Sequence, residues 1–101
     1  VVHKVVFRPA AKADLKHLYD YVAQQAGRTI AGRFIDRIEA ACMALQDFPE
    51  RGTVRKELYP GIRIIGFERR ASIAFAVEGE RVRILRIFYG GQQFPLDWSA
   101  E

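Results

Sequence analysis

The run Val82 to Tyr89, read as Val-Arg-Ile-Leu-Arg-Ile-Phe-Tyr, is followed at once by Gly90 and Gly91. Eight residues rich in β-branched and aromatic types, stopped by paired glycines, predict a strand. Strand side chains alternate, so Val82, Ile84 and Phe88 fall on one face and Leu85 and Ile87 on the other. A strand that is apolar on both faces is covered on both faces. The 101 residues read as a single domain spanning residues 1–101, and a domain of that size buries roughly two thirds of its unfolded surface. Its own helices can cover one face of the strand. The other is left for a partner protein.

The rest of the chain supplies the helices. Val2 to Arg8 alternates loosely and reads as a first strand ending at Pro9, whose ring suits the first turn of a helix. Ala11, Leu15, Leu18, Val22 and Ala26 then recur every three to four residues, which predicts an amphipathic helix closed by Gly27. Thr29 can cap a second helix with the stripe Ile30, Phe34, Ile38, Ala41, Leu45 and Phe48, ending at Pro49. The short link between them predicts an antiparallel helical hairpin. Pro49 to Gly61 reads as a loop. Beyond it, Ile62–Phe67, Ala71–Val77 and Val82–Tyr89 are joined by links short enough for an antiparallel meander. The middle strand sets Ile73, Phe75 and Val77 against Ser72, Ala74 and Ala76, and the small-residue face would leave a shallow groove. The order is therefore β-α-α-β-β-β, a helical hairpin packed on a small antiparallel sheet, in the α+β class.

Chemistry is scarce in this pattern. No phosphate-binding glycine motif, nucleophile elbow or metal-spaced cluster is present, and two histidines with one cysteine make transition-metal chemistry improbable. No cofactor is expected. Cys42 lies in the helical pattern and reads as a small core residue. No apolar run reaches the length of a membrane span, and a lone thiol fits a reducing compartment, so a cytoplasmic location is expected. Sixteen basic against twelve acidic residues give a net charge of +4, compatible with a nucleic-acid surface or an acidic partner. The arginines on or beside the sheet, Arg63, Arg69, Arg70, Arg83 and Arg86, are the groups suited to phosphate or carboxylate recognition, because a planar guanidinium fork loses little freedom per hydrogen bond.

Three stretches resemble one family. Phe7-Arg8-Pro9-Ala10-Ala11-Lys12-Ala13-Asp14-Leu15 is similar to the Pro-x-Ala-x-x-Asp-Leu helix opening of the RelE/ParE toxins of bacterial toxin-antitoxin pairs. Leu45 to Gly52 resembles the end of that family's second helix, and Ile84 to Gln92 its last strand. Arg8 replaces the small hydroxyl residue usual before the proline, which weakens the helix cap. The resemblance implies a toxin held in a hetero-oligomeric complex by a cognate, ParD-like antitoxin. RelE-like members cut mRNA on the ribosome, whereas ParE-like members poison DNA gyrase. The positions matching the nuclease groups are Ser72, Gly90 and Gly91, none of which stabilises a phosphate transition state or moves a proton.

The expectation is thus a ParE-like inhibitor of DNA gyrase with no catalytic residues. The alternatives are a RelE-like, ribosome-dependent endoribonuclease with relocated groups and a non-toxic binding module of the same shape. Target contacts are expected at Arg69, Arg70, Arg86, Tyr89, Gln92, Phe94 and Trp98, the last two because a tail with large apolar residues packs against the domain or a partner. Antitoxin contacts are expected at Tyr21, Ile62, Arg63, Ile64, Ala74, Ala76, Arg83, Leu85 and Ile87, on the sheet face that the helices leave open.

Overall fold

The computed structural model describes residues 3–57 and 60–90. Strand β1 (Lys4–Phe7) leads into helices α1 (Pro9–Ala26) and α2 (Arg28–Met43), a 3-10 turn (Ala44–Gln46), and strands β2 (Thr53–Val54), β3 (Ile62–Phe67), β4 (Ala71–Glu78) and β5 (Arg81–Tyr89). The strands form one sheet in the order β1-β5-β4-β3-β2. The meander is antiparallel, but β1 lies parallel to β5, Lys4 opposite Arg81 through Phe7 opposite Ile84. The sheet is therefore mixed. Strand β2, inside the stretch expected to be loop, adds an outer edge through Thr53 opposite Ile64. Gly52 permits that approach, because a Cβ there would stand 2.3 Å from the Ile64 carbonyl oxygen.

Both faces of β5 are covered. Beneath the helices, Val82, Ile84 and Ile87 join Ile73 and Phe75 of β4 and the helix residues Leu15, Leu18, Phe34 and Ile38. On the opposite face Leu85 and Phe88 cluster with Ile62, Ala74 and Ala76. Strict alternation sends Ile87 and Phe88 the other way, and the difference is a bulge. Ala74 pairs with Arg86 but Phe75 pairs with Ile84, so Leu85 is an extra residue on β5 and every later side chain changes face. Fully burying each large side chain stabilises the fold by about 1.5–3 kcal/mol.

The helices pack close to the expected pattern. Ala11, Leu15, Leu18 and Val22 are the buried residues of α1, and Arg8 precedes it with no side-chain cap bond and a proline in the first turn. In α2 the buried stripe is Ala31, Phe34, Ile38 and Cys42, continued by Leu45. Ile30 and Phe48, assigned to that stripe from the sequence, are exposed. Gly27 alone joins the helices, with φ 95° and ψ 164°, a region open chiefly to glycine. Helix α2 thus begins at Arg28, and Thr29 lies inside it rather than capping it. No helix among the described residues is long and apolar enough to cross a membrane.

Strand β1 stops opposite Ile84, where the Arg8 N–H donates to the Ile84 carbonyl at 3.0 Å. Among the described residues the remainder of β5 has no strand on that side, and α1 closes it. Asp14 accepts the Ile87 N–H at 2.9 Å and binds the Arg86 guanidinium through both carboxylate oxygens, at 2.7 and 3.0 Å. Removing a part-buried carboxylate that satisfies a backbone donor and an arginine costs about 2–4 kcal/mol. Asp14→Ala should lower the urea midpoint by that equivalent, and Asp14→Asn by less because an acceptor remains. Equal midpoints for Asp14→Ala and the wild type would show that packing alone holds this edge. Cys42 gives a second check, since burial, with a smaller contribution from Glu39, pushes its thiol up to about 12. Iodoacetamide at mildly alkaline pH should therefore leave the native protein unmodified and react fully once urea unfolds it.

Candidate functional site

The tight turn from β3 to β4 stands at one end of the sheet. The Arg70 N–H donates to the Phe67 carbonyl at 3.0 Å, and the two residues between, Glu68 and Arg69, have φ of 49° and 58°. Two left-handed residues make the turn that suits a twisted hairpin, ordinarily built from asparagine and glycine. With side chains each such residue costs roughly 1–2 kcal/mol. Tertiary contacts hold the turn in place. The Glu68 carboxylate accepts from Arg37 Nε at 2.7 Å and from Nη2 at 3.0 Å. These bonds hold the Glu68 carboxyl below its ordinary value of 4.5, so the clamp is present at neutral pH and lost as the pH falls through that lowered value. Arg69 and Arg70 are exposed, and neither forms an ion pair among the described residues.

An aromatic chain ties this turn to both helices. Arg37 lies 5.5 Å from the centre of the Phe34 ring, Phe34 meets Phe67 at 5.8 Å and Tyr89 at 6.0 Å, and Tyr89 meets Tyr21 of α1 at 5.4 Å. The Gly90 N–H donates to the Arg70 carbonyl at 2.7 Å, joining the end of β5 to the turn. Beside it, between α1 and the end of β5, runs a groove of about 480 Å³ lined by Asp14, His17, Leu18, Tyr21, Ile87, Tyr89 and Gly90. No cluster able to hold a metal occurs among the described residues. The end of the molecule thus offers two exposed guanidinium groups and a tyrosine-rimmed groove.

The family model described as the ParE toxin of type II toxin-antitoxin systems, parDE, matches residues 5–94. The chain belongs to the ParE toxin family. A relative, Toxin ParE3 of Caulobacter vibrioides, is 30% identical to this ParE-family chain over 87 residues, 86% of each protein. Among solved structures, the chromosomal ParDE system of P. aeruginosa superposes with a TM-score of 0.78 at 29% identity, covering 88% of this chain and 97% of that one. The RelBE2 toxin-antitoxin complex of Mycobacterium tuberculosis shares the fold, with a TM-score of 0.65 at 17% identity over 88% of this chain and 99% of that one.

In the ParE-family chain the residues singled out from the sequence separate into three groups. Arg69, Arg70 and Tyr89 meet at the turn end, joined there by Tyr21 and Ile87, which the sequence had placed on a different surface. Arg86 is engaged inside the fold by Asp14 and lies 5.3 Å from the Phe88 ring centre. Gln92, Phe94 and Trp98 lie outside the described residues. Ile62, Ala74, Ala76 and Leu85, expected on an open face, are buried in the chain itself, because Phe88 and the larger aliphatic groups close over the two alanines. Around them Ile64 is half-buried, Arg63 lies 3.5 Å from the Arg51 carbonyl, and Arg83 pairs with Glu78 at 3.2 Å.

Sequence reasoning did not single out Arg37, Phe34 or Glu68 as parts of this site. Arg37 and Glu68 are 31 residues apart, and the rings that meet Phe34 belong to distant strands, so no local pattern ties the helix pair to the turn. Asp14 stood in the helix-opening motif that carried the resemblance, which was the one available signal. Arg69→Gly relieves one left-handed residue, about 1–2 kcal/mol, while loosening the unfolded chain by roughly 0.4–1. It should therefore raise stability by roughly 0.5–1 kcal/mol in urea titration. A loss of stability would show that the Arg69 side chain itself supports the turn.

Proposed function

We propose that this ParE-family toxin arrests DNA gyrase in the cytoplasm and is neutralised there by a cognate antitoxin. The observation that carries the reading is the family match across residues 5–94. The residues at the nuclease positions support it: Ser72 is half-buried on β4 and Gly90 has no side chain, so neither supplies a base or a phosphate-stabilising cation. The described surface instead offers shape and charge, as a binding inhibitor requires. The antitoxin reading draws on the solved relatives, which are the ParDE system and the RelBE2 toxin-antitoxin complex. An extended acidic segment with an amphipathic helix would lie along Tyr21 and the groove beside Ile87, with Arg63, Ile64 and Arg83 as further contacts, steered by the positive charge of the chain.

Supercoiling by purified gyrase tests this directly. The protein at stoichiometric excess should inhibit it, and prior addition of the antitoxin should restore it. Uninhibited supercoiling, together with codon-positioned cuts in mRNA on translating ribosomes, would replace this reading with the nuclease one.

A further inference from the structure

We propose that the turn bearing Arg69 and Arg70 is a phosphate clamp that grips the backbone of DNA. Several independent features of the turn support this. It adopts left-handed backbone at Glu68 and Arg69, where glycine would fit more easily, so the side chains there are held against a conformational penalty. The Glu68 carboxylate, which would repel a polyanion, is drawn back onto Arg37 and neutralised by two hydrogen bonds. Arg69 and Arg70 are left pointing into solvent from a backbone fixed by the bonds Arg70 N–H to Phe67 carbonyl and Gly90 N–H to Arg70 carbonyl. Guanidinium forks on a rigid mount lose little freedom when they take a phosphate bidentately.

Nucleic acid fits this tip better than an acidic protein does. Tight protein interfaces centre on large apolar anchors buried in pockets, whereas the residues at the tip itself are charged and exposed. Phosphate contacts need only cations in register on a firm element. Tyr89, half-buried at the foot of the turn and 5.4 Å from Tyr21, supplies aromatic surface for a sugar or an unstacked base. The net charge of +4 adds a favourable field. The clamp rests on the gyrase reading in one respect: an enzyme that works on DNA brings phosphates to the toxin.

The test uses the full chain and a short labelled duplex, with binding followed by fluorescence anisotropy over a range of potassium chloride concentrations. Losing two phosphate contacts should make the plot of log affinity against log salt shallower by about 1.8, and weaken binding about tenfold or more at moderate salt. That result is expected for the double variant Arg69→Ala and Arg70→Ala, with its melting temperature unchanged. The doubly conservative variant, Arg69→Lys with Arg70→Lys, should keep the salt slope while losing part of the affinity, because charge remains and the fork does not. Lys12→Ala with Lys56→Ala removes the same charge from elsewhere on the surface and should leave most of the affinity intact. An unchanged slope in the arginine-to-alanine variant would overturn the clamp, as would an equal loss in the lysine control. Tip-dependent binding of a labelled polyglutamate peptide more tightly than the duplex would also overturn it, in favour of an acidic protein. No gyrase is present in these measurements, so their failure removes the clamp alone, while failure to inhibit supercoiling removes the target reading alone.

Discussion

Where β1 ends, β5 continues for five residues with no strand on that side among the described residues, and the Asp14 carboxylate reaches across to it. Asp14 takes the Ile87 N–H and both prongs of Arg86, so the exposed edge is finished by a helix rather than by another strand. Much of the rest depends on this closure. It fixes α1 against β5, which brings Tyr21 alongside Tyr89 and leaves a groove between helix and strand. An unpaired strand edge is ordinarily a hazard for aggregation. Here one donor of that edge, the Ile87 N–H, is taken internally by Asp14.

The bulge at Leu85 has an equally wide reach. By inserting one residue it turns Ile87 under the helices and Phe88 to the opposite face, so both sides of the strand's last part are filled. It also presents Arg86 to Asp14, since the residue beyond the bulge no longer follows the alternation of those before it. One extra residue thus aligns the apolar contents of both layers with the polar closure of the edge.

At the far end of the sheet, stability and exposure trade against each other. The turn between β3 and β4 adopts backbone that its residues disfavour, and the Arg37 clamp with the ring stack of Phe34, Phe67, Tyr89 and Tyr21 offsets the strain. Strain maintained by tertiary contacts is common where a surface must hold one shape before its partner arrives. Helix α2 thereby acts as a brace as well as a layer of the core.

The two helices, the strands β1, β3, β4 and β5, their order and the helix-facing residues of β4 were legible in the sequence, because they follow from periodicity. A repeat of three to four marks Ala11, Leu15, Leu18 and Val22 as one face of a helix, and alternation marks Ile73 and Phe75 against Ala74 and Ala76, whatever the surroundings. The family resemblance was legible too, carried by the helix-opening motif and the last strand. Which edge received β1, that Thr53 and Val54 form an outer strand, and where β5 bulges were decided only when the layers packed. Each depends on backbone hydrogen bonds between segments far apart in the chain, and a local pattern carries no record of them. The site behaves in the same way: Arg69, Arg70 and Tyr89 could be named from residue type and position, whereas Arg37, Glu68, Phe34 and Tyr21 become a unit only in three dimensions. By the sequence alone most segments, though not Thr53 and Val54, took the form their local pattern prescribes, because propensity and amphipathicity act over a few residues. The tertiary structure decided which of those residues are spent on holding the fold, as Asp14 and Arg86 are, and which are left to meet something else, because that division is set by neighbours the chain brings together only on folding.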